Sequence, residues 1–291
     1  MVEKNEYGFF TLKDKPSSED LKKYYEEKYY QNALGGYEQN YSIEELKYFR
    51  NKIVERFYVI QKHLSSKNKP ALLDIGCGEG WVLNFFLEKQ WSITGLDYSN
   101  YGCDKFNPHC SEHLIVGDIY ESLEKLEQQN LRFDVVWLDN VLEHVLEPET
   151  LIERIKKIVS SEGLLVIEVP NDFSFLQNFL FQHEYVDRQF WIAVPDHISY
   201  FNNEALKNLL NAFGWTTISV LADYPIDWNL LNRNTNYIMD KSLGSSCHTE
   251  RVVFENLLHQ QPIEKIIQFY EAVASVGLGR QIVGIFKAEA K

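Results

Sequence analysis

Cysteine is scarce in this chain of 291 residues, which contains only Cys77, Cys103, Cys110 and Cys247. Four cysteines over that length do not make the disulfide framework of a small secreted domain. Long apolar runs are also lacking, because no stretch approaches the roughly 18 residues that span a bilayer. The N-terminal residues lack the apolar segment of a signal peptide. We therefore expect a cytoplasmic protein with no membrane partner.

Basic side chains are few as well, with 29 Lys and Arg against 42 Asp and Glu and a net charge of −13. Nucleic-acid binding needs clustered basic side chains, and anionic membrane surfaces repel an acidic protein. The charge balance thus favours a small-molecule partner over DNA or RNA and leaves the oligomeric state unknown. Aromatic residues, by contrast, make up 14% of the chain, enough to build a core and to line a binding cleft.

Hydrophobic periodicity divides the chain into two predicted parts. Residues 1–66 predict a Tyr-rich helical cap, whose second helix carries apolar residues at steps of three and four from Ile43 onwards. Residues 67–291 instead alternate short apolar runs with helical segments. That alternation predicts an α/β domain with a parallel sheet covered on both faces. Two segments, at about 170–214 and 223–279, are predicted insertions around the sixth strand.

The most informative motif, LLDIGCGEGWVL, begins at Leu72 and joins an apolar strand to a helix. Its glycines allow a tight turn and a close approach to a ligand. Their spacing is G-x-G-x-G, whereas dinucleotide-binding proteins use G-x-G-x-x-G. Asp74 and Glu79 make this loop acidic, which disfavours a pyrophosphate and favours a cationic ligand. An oxidoreductase with a nicotinamide cofactor is therefore the weaker alternative.

Further motifs follow in order: GLDYS around Asp97, VGDI around Asp118, FDVVWLDNVLEHV from Phe133 and GLLVIEVPN from Gly163. With them, the chain resembles the class I (Rossmann-like) S-adenosylmethionine-dependent methyltransferases of the small-molecule and sugar-biosynthetic type. The resemblance covers roughly residues 70–222. It implies a three-layer Rossmann-like sandwich, S-adenosylmethionine as the methyl donor and S-adenosylhomocysteine as the product.

The resemblance also implies which residues bind the cofactor. Asp74 would lie near the amino group, Asp97 at the ribose and Asp118 at the adenine. The N-terminal tyrosines could form a lid, since aromatic faces attract sulfonium cations. Glu143 and His144 are expected to begin the next helix. The predicted cofactor contacts are Tyr29, Tyr30, Asp74, Gly76, Gly78, Gly80, Asp97, Tyr98, Asp118, Ile119, Asp139, Asn140 and His144.

The acceptor is expected at the first insertion, where DHISYF begins at Asp196 and is similar to the D-H-x-x-x-F segment of many small-molecule members of the family. His197 is the candidate general base, because an imidazole that titrates near neutrality can take a proton from a hydroxyl. A structural histidine is the alternative. Tyr200 and Arg233 are the candidate acceptor-binding residues, the arginine for a phosphate or carboxylate.

These features predict O-methylation of a carbohydrate, nucleotide sugar or related small metabolite. The alternatives are N- or C-methylation of a small metabolite and a catalytically inactive methyltransferase-like binding protein, because one scaffold serves them all. No metal is required. Cys103, His109, Cys110 and His113 are ligand-type residues, but their spacing matches no common structural zinc site.

Overall fold

The computed structural model of this protein describes residues 1–17, 19–21, 24, 40–65 and 67–289. Its strands are β1 (Val2–Lys4), β2 (Phe10–Leu12), β3 (Ala71–Ile75), β4 (Ser92–Asp97), β5 (Leu114–Val116), β6 (Phe133–Asp139), β7 (Val159–Pro170), β8 (Ser199–Tyr200), β9 (Trp215–Ala222) and β10 (Gln281–Ala288). The α-helices whose bounds it describes are α1 (Ile43–His63), α2 (Trp81–Glu88), α3 (Tyr101–Phe106), α4 (Ile119–Gln128), α5 (Pro148–Ile158), α6 (Phe175–Gln182), α7 (Asn203–Ala212), α8 (Gly244–Leu258) and α9 (Ile263–Ser275).

Seven strands form one sheet in the order β5-β4-β3-β6-β7-β10-β9. The five strands from β5 to β7 pair in parallel, and β10 runs antiparallel to both β7 and β9. Strand order reverses at β3, and ligands of open α/β sheets bind at such a reversal, beyond the carboxyl ends of the strands. The Rossmann-like α/β prediction is confirmed.

Helices cover both faces of the sheet, as the apolar strands predicted. Successive strand residues point to opposite faces, so Leu72 packs with α1, α2 and α9, whereas Leu73 packs with α4, α5 and α7. Both leucines are fully buried. Helix α1 begins with a capping box between Ser42 and Glu45 and contributes Ile60 to the core. It is therefore part of the sandwich.

The N-terminal residues differ from the predicted helical cap. Strands β1 and β2 form an antiparallel hairpin, and β2 pairs with β8 in the first inserted segment. Phe9 is 2% exposed and its ring lies 4.6 Å from that of Phe201. Strands of three residues are too short for periodicity to reveal, and β8, the second partner of β2, is distant in sequence. The domain boundary at residue 66 stays a prediction.

The two inserted segments hold different elements. The first contains α6, β8 and α7, and the second contains α8 and α9. Among the helices that the structure describes, none is long and apolar enough to cross a bilayer.

Candidate functional site

The glycine loop connects β3 to α2 at the carboxyl edge of the sheet. Gly76, Gly78 and Gly80 have φ angles of +72°, +50° and +77°, a region that residues with a Cβ rarely adopt. A Cβ on Gly76 would also lie 2.5 Å from Cγ2 of Val141. The loop therefore requires glycine for its turn and for its close packing against the segment that follows β6.

Asp97 ends β4 and faces the glycine loop. One of its carboxylate oxygens accepts the Gly78 N–H at 2.8 Å, and the other accepts the Ser99 N–H at 3.0 Å. Burial raises the pKa of Asp97. The structure thus brings together two residues that were predicted to contact the cofactor, while the ribose contact itself stays a prediction.

Asp74 lies beneath the glycine loop with 2% of its surface exposed. Burial, followed by the charges of Asp139 and Asp97, raises its pKa well above the usual range. Its Oδ2 atom has no hydrogen-bond partner among the described residues. A buried carboxylate without a donor suits a cationic N–H group, so Asp74 fits the amino group of S-adenosylmethionine, and this contact stays a prediction.

Asp118 and Tyr98 lie beyond the ends of the neighbouring strands β5 and β4. Asp118 caps α4 by accepting the Glu121 N–H at 3.0 Å, and its other oxygen accepts the Tyr98 hydroxyl at 2.7 Å. Ile119 is buried beside it. The cap gives Asp118 a structural role that the motif did not reveal, and the predicted adenine contact stays a prediction.

Arg56 is a site residue that was not predicted from the sequence. It lies on α1 with 3% of its surface exposed. Its Nη1 donates to both oxygens of Asp139 at 2.7 and 2.6 Å, and its Nη2 donates to Glu168. Arg56 thereby neutralises acids at the ends of β6 and β7. Arg56 stands three positions after Ile53, on the apolar face of the predicted helix. A basic residue on that face could have indicated a buried ion pair.

The segment after β6 is a turn and not the expected start of a helix. Asn140 has a φ of +52°, which Asn tolerates better than most residues, and its N–H donates to the Glu168 carbonyl at 3.0 Å. Residues 142–144 form a turn and α5 begins only at Pro148. The expected helix start at Glu143 is therefore wrong, because the turn directs Glu143 and His144 toward the first inserted segment.

Three ligand-type side chains meet there. The carbonyl of Glu143 accepts the N–H groups of Ile198 and Ser199 at 2.8 and 3.1 Å. This contact brings His197 beside His144, with 4.9 Å between the ring centroids. The ligand atoms of Glu143, His144 and His197 all lie within 4.8 Å of one another, so these residues could hold a metal ion. We call them the Glu-His-His cluster.

Burial changes the acid–base properties of the cluster. Glu143 is 1% exposed, and burial raises its pKa to about 8. Burial, together with the nearby His144 and Arg280, lowers the pKa of His197 to about 4. His197 is therefore neutral at physiological pH, but it is a weaker base than the imidazole near neutrality that was assumed from sequence.

The remaining predicted residues have different surroundings. Tyr200 is buried and its hydroxyl donates to the His197 carbonyl at 2.9 Å, so it contacts the histidine backbone. Arg233 is exposed in the second inserted segment. The arginine that approaches the cluster is Arg280, whose Nη1 donates to Asp172 at 2.8 Å. Tyr29 and Tyr30 lie outside the described residues, whereas Tyr24 donates to Asp196, next to His197.

Fold and site together define a class of protein. A family model described as a methyltransferase domain matches residues 44–220, and the chain belongs to this family. It is an S-adenosylmethionine-dependent methyltransferase, whose glycine loop and buried Asp74 lie at the carboxyl edge of its sheet.

Curated relatives are also methyltransferases, and a solved structure shares the fold. The ubiquinone biosynthesis O-methyltransferase of Bartonella tribocorum is 24% identical over 201 residues, which cover 68% of this chain and 80% of the relative. That of Pelagibacter ubique is 24% identical over 186 residues, covering 58% and 75%. A Galdieria sulphuraria protein assigned as a sarcosine dimethylglycine methyltransferase shares the fold with a TM-score of 0.52 at 12% identity, covering 94% of this chain and 99% of the other.

Proposed function

We propose that this enzyme transfers the methyl group of S-adenosylmethionine to a hydroxyl oxygen of a small acceptor. The supporting observation is that the Glu-His-His cluster lies beside the cofactor crevice. Val141, two residues before Glu143, lies against Gly76 of the glycine loop, and the charge of Asp139 raises the pKa of both Asp74 and Glu143. The cluster is therefore close to the loop, and we propose that donor and acceptor meet between them.

The chemistry requires an acceptor oxygen in line with the sulfonium. The sulfur–methyl bond breaks as the oxygen–methyl bond forms, and the hydroxyl proton leaves the acceptor. Holding the two reactants in line supplies much of the rate. Where no metal ion takes part, His197 accepts the proton, which would contribute about 10²–10⁴-fold.

The low basicity of His197 favours an acidic acceptor hydroxyl. A neutral histidine whose pKa is about 4 removes a proton more easily from a phenol, with a pKa of about 10, than from a less acidic sugar hydroxyl. The two relatives named above are O-methyltransferases of ubiquinone biosynthesis, which favours an oxygen acceptor and gives no support to a carbohydrate. We therefore propose a phenolic or similarly acidic hydroxyl, with the carbohydrate as the alternative.

A panel of acceptors tests this function. Purified enzyme with S-adenosylmethionine is offered a catechol, a nucleotide sugar and a small amine, and S-adenosylhomocysteine and methylated products are measured by mass spectrometry. We expect product from the catechol and a loss of about 10²–10⁴-fold in His197→Ala. The exposed His109→Ala serves as the matched control. Turnover of the amine alone would contradict the proposal, and bound cofactor without any turnover would favour an inactive binding protein.

A further inference from the structure

We propose that the Glu-His-His cluster binds one divalent cation of the Zn²⁺ or Mn²⁺ type, on which the acceptor hydroxyl would be activated. This inference rests on the proposed function, because it assigns the activation of the same hydroxyl to a bound cation.

A hydrogen bond to the backbone fixes the tautomer of His144. Its Nδ1 lies 2.7 Å from the carbonyl oxygen of Asp196. A carbonyl can only accept, so Nδ1 carries the hydrogen and the lone pair is on Nε2. That nitrogen lies 3.8 Å from Oε1 of Glu143. Metal-binding histidines are typically held by such a hydrogen bond on the opposite ring nitrogen.

One atom each of Glu143 and His197 is buried without a partner among the described residues. Oε2 of Glu143 and Nδ1 of His197 make no hydrogen bond within the described part of the chain. An unpaired buried polar atom costs about 1–3 kcal/mol, and more if it is charged. Groups with lone pairs therefore face one another at a buried place, an arrangement that a shared positive charge would stabilise.

The distances suit a cation of ordinary size. Ligand atoms bound to zinc at about 2.0–2.2 Å lie about 3.3–3.6 Å apart in a tetrahedral site. The cluster has 3.8 Å between Glu143 and His144, and all three ligand atoms lie within 4.8 Å of one another. Small side-chain rotations would therefore close the site around a cation.

The donor set selects the kind of cation. Two imidazoles and one carboxylate suit Zn²⁺, Mn²⁺ or Fe²⁺, whereas Mg²⁺ and Ca²⁺ prefer oxygen ligands. Three protein ligands leave at least one coordination position for an acceptor oxygen. Coordination lowers the pKa of that hydroxyl, so its proton passes to water before the oxygen–methyl bond forms. His197 is then a ligand and not the proton acceptor.

Direct binding measurements test the proposal without relying on turnover. The full chain, freed of any affinity tag, is treated with EDTA and titrated with ZnCl₂, MnCl₂ and MgCl₂ in a calorimeter, and Co²⁺ loading is followed by visible absorption. We expect one Zn²⁺ per chain, weak or no binding of Mg²⁺, and a Co²⁺ spectrum with nitrogen ligands.

Variants locate the site. Glu143→Gln keeps the volume of the buried side chain, and His197→Asn tests a second ligand that is less buried. Each is expected to weaken Zn²⁺ binding by roughly 100-fold. Removing a group that only supports a metal ligand already weakens metal binding by about 10- to 100-fold, and these variants remove a ligand itself. The exposed His109→Gln should bind like the wild type.

The outcomes separate this inference from the function it rests on. Two results would overturn the metal site, provided that each protein still binds S-adenosylhomocysteine. One is that the wild type binds no zinc, and the other is that wild type, Glu143→Gln and His197→Asn bind it equally. Folded wild type that fails to bind S-adenosylhomocysteine would instead count against the proposed function. Zinc lost in both cluster variants but kept in His109→Gln would support the site.

Discussion

Gly76 shows at the residue scale how closely the cofactor loop is packed. Gly76→Ala would place a Cβ in a left-handed conformation, at a cost of about 1–2 kcal/mol, and 2.5 Å from Val141, where overlap costs about 1–3 kcal/mol. We expect a lower urea midpoint and loss of S-adenosylhomocysteine binding. Gly244→Ala is the matched control, since Gly244 has a helical φ of −56° and no atom within 4 Å of its Cβ position. Equal stabilities would contradict this description of the loop.

Asp74 connects stability to pH. Its folded pKa lies above the unfolded value of about 3.9, because burial, Asp139 and Asp97 disfavour the charged form. The folded chain thus holds this proton more tightly than the unfolded chain. The stability contributed by the protonated group is present below the unfolded pKa and is lost as pH rises through the folded pKa.

Asp74→Asn should therefore stabilise the cofactor-free chain at pH 8, with a gain that shrinks toward pH 4. It should also weaken S-adenosylhomocysteine binding roughly 10- to 100-fold, as expected for the loss of one charge-assisted hydrogen bond. Thermal denaturation across pH and calorimetry measure the two effects. The exposed Asp14→Asn should show neither effect, and a destabilised Asp74→Asn at pH 8 would contradict the argument.

At the element scale, the ion pairs of Arg56 join α1 to the sheet. Arg56→Met would leave Asp139 and Glu168 without their shared cation, and breaking a buried ion pair costs about 3–5 kcal/mol. We expect this decrease in the free energy of unfolding measured by urea denaturation. Arg50→Met on the same helix is the control, because Arg50 pairs with Glu88 between half-exposed side chains and such pairs contribute up to about 1 kcal/mol. Similar losses in the two variants would contradict a dominant role for Arg56.

The N-terminal hairpin supports the segment that carries His197. Phe9 packs on Phe201, four residues after that histidine. Phe9→Ala should destabilise the protein by about 3–5 kcal/mol, whereas Phe175→Ala, at a side chain that is 59% exposed, should change stability by less than about 1 kcal/mol. Denaturant titration compares them. A small effect of Phe9→Ala would mean that the hairpin is dispensable for packing.

At the scale of the whole molecule, the sequence predicted those features of the fold and site that short stretches of the chain determine. The parallel strands, the glycine loop and Asp97 were predictable because strand burial and turn geometry appear within short segments. The ion pairs of Arg56, the pairing of β2 with β8 and the meeting of Glu143 with His197 depend on contacts between distant parts of the chain. Burial also lowered the pKa of His197, which depends on the packed surroundings and not on residue type.

The central claim is that the glycine loop and its acidic neighbours bind the cofactor. Calorimetric titration of S-adenosylhomocysteine into the full chain tests this claim most directly. We predict binding of one molecule per chain, weakened in Asp97→Asn, because Asp97 holds the Gly78 N–H and is the predicted ribose contact. Folded protein that gives no heat with S-adenosylhomocysteine or S-adenosylmethionine, or an Asp97→Asn variant that binds as tightly as the wild type, would contradict this assignment.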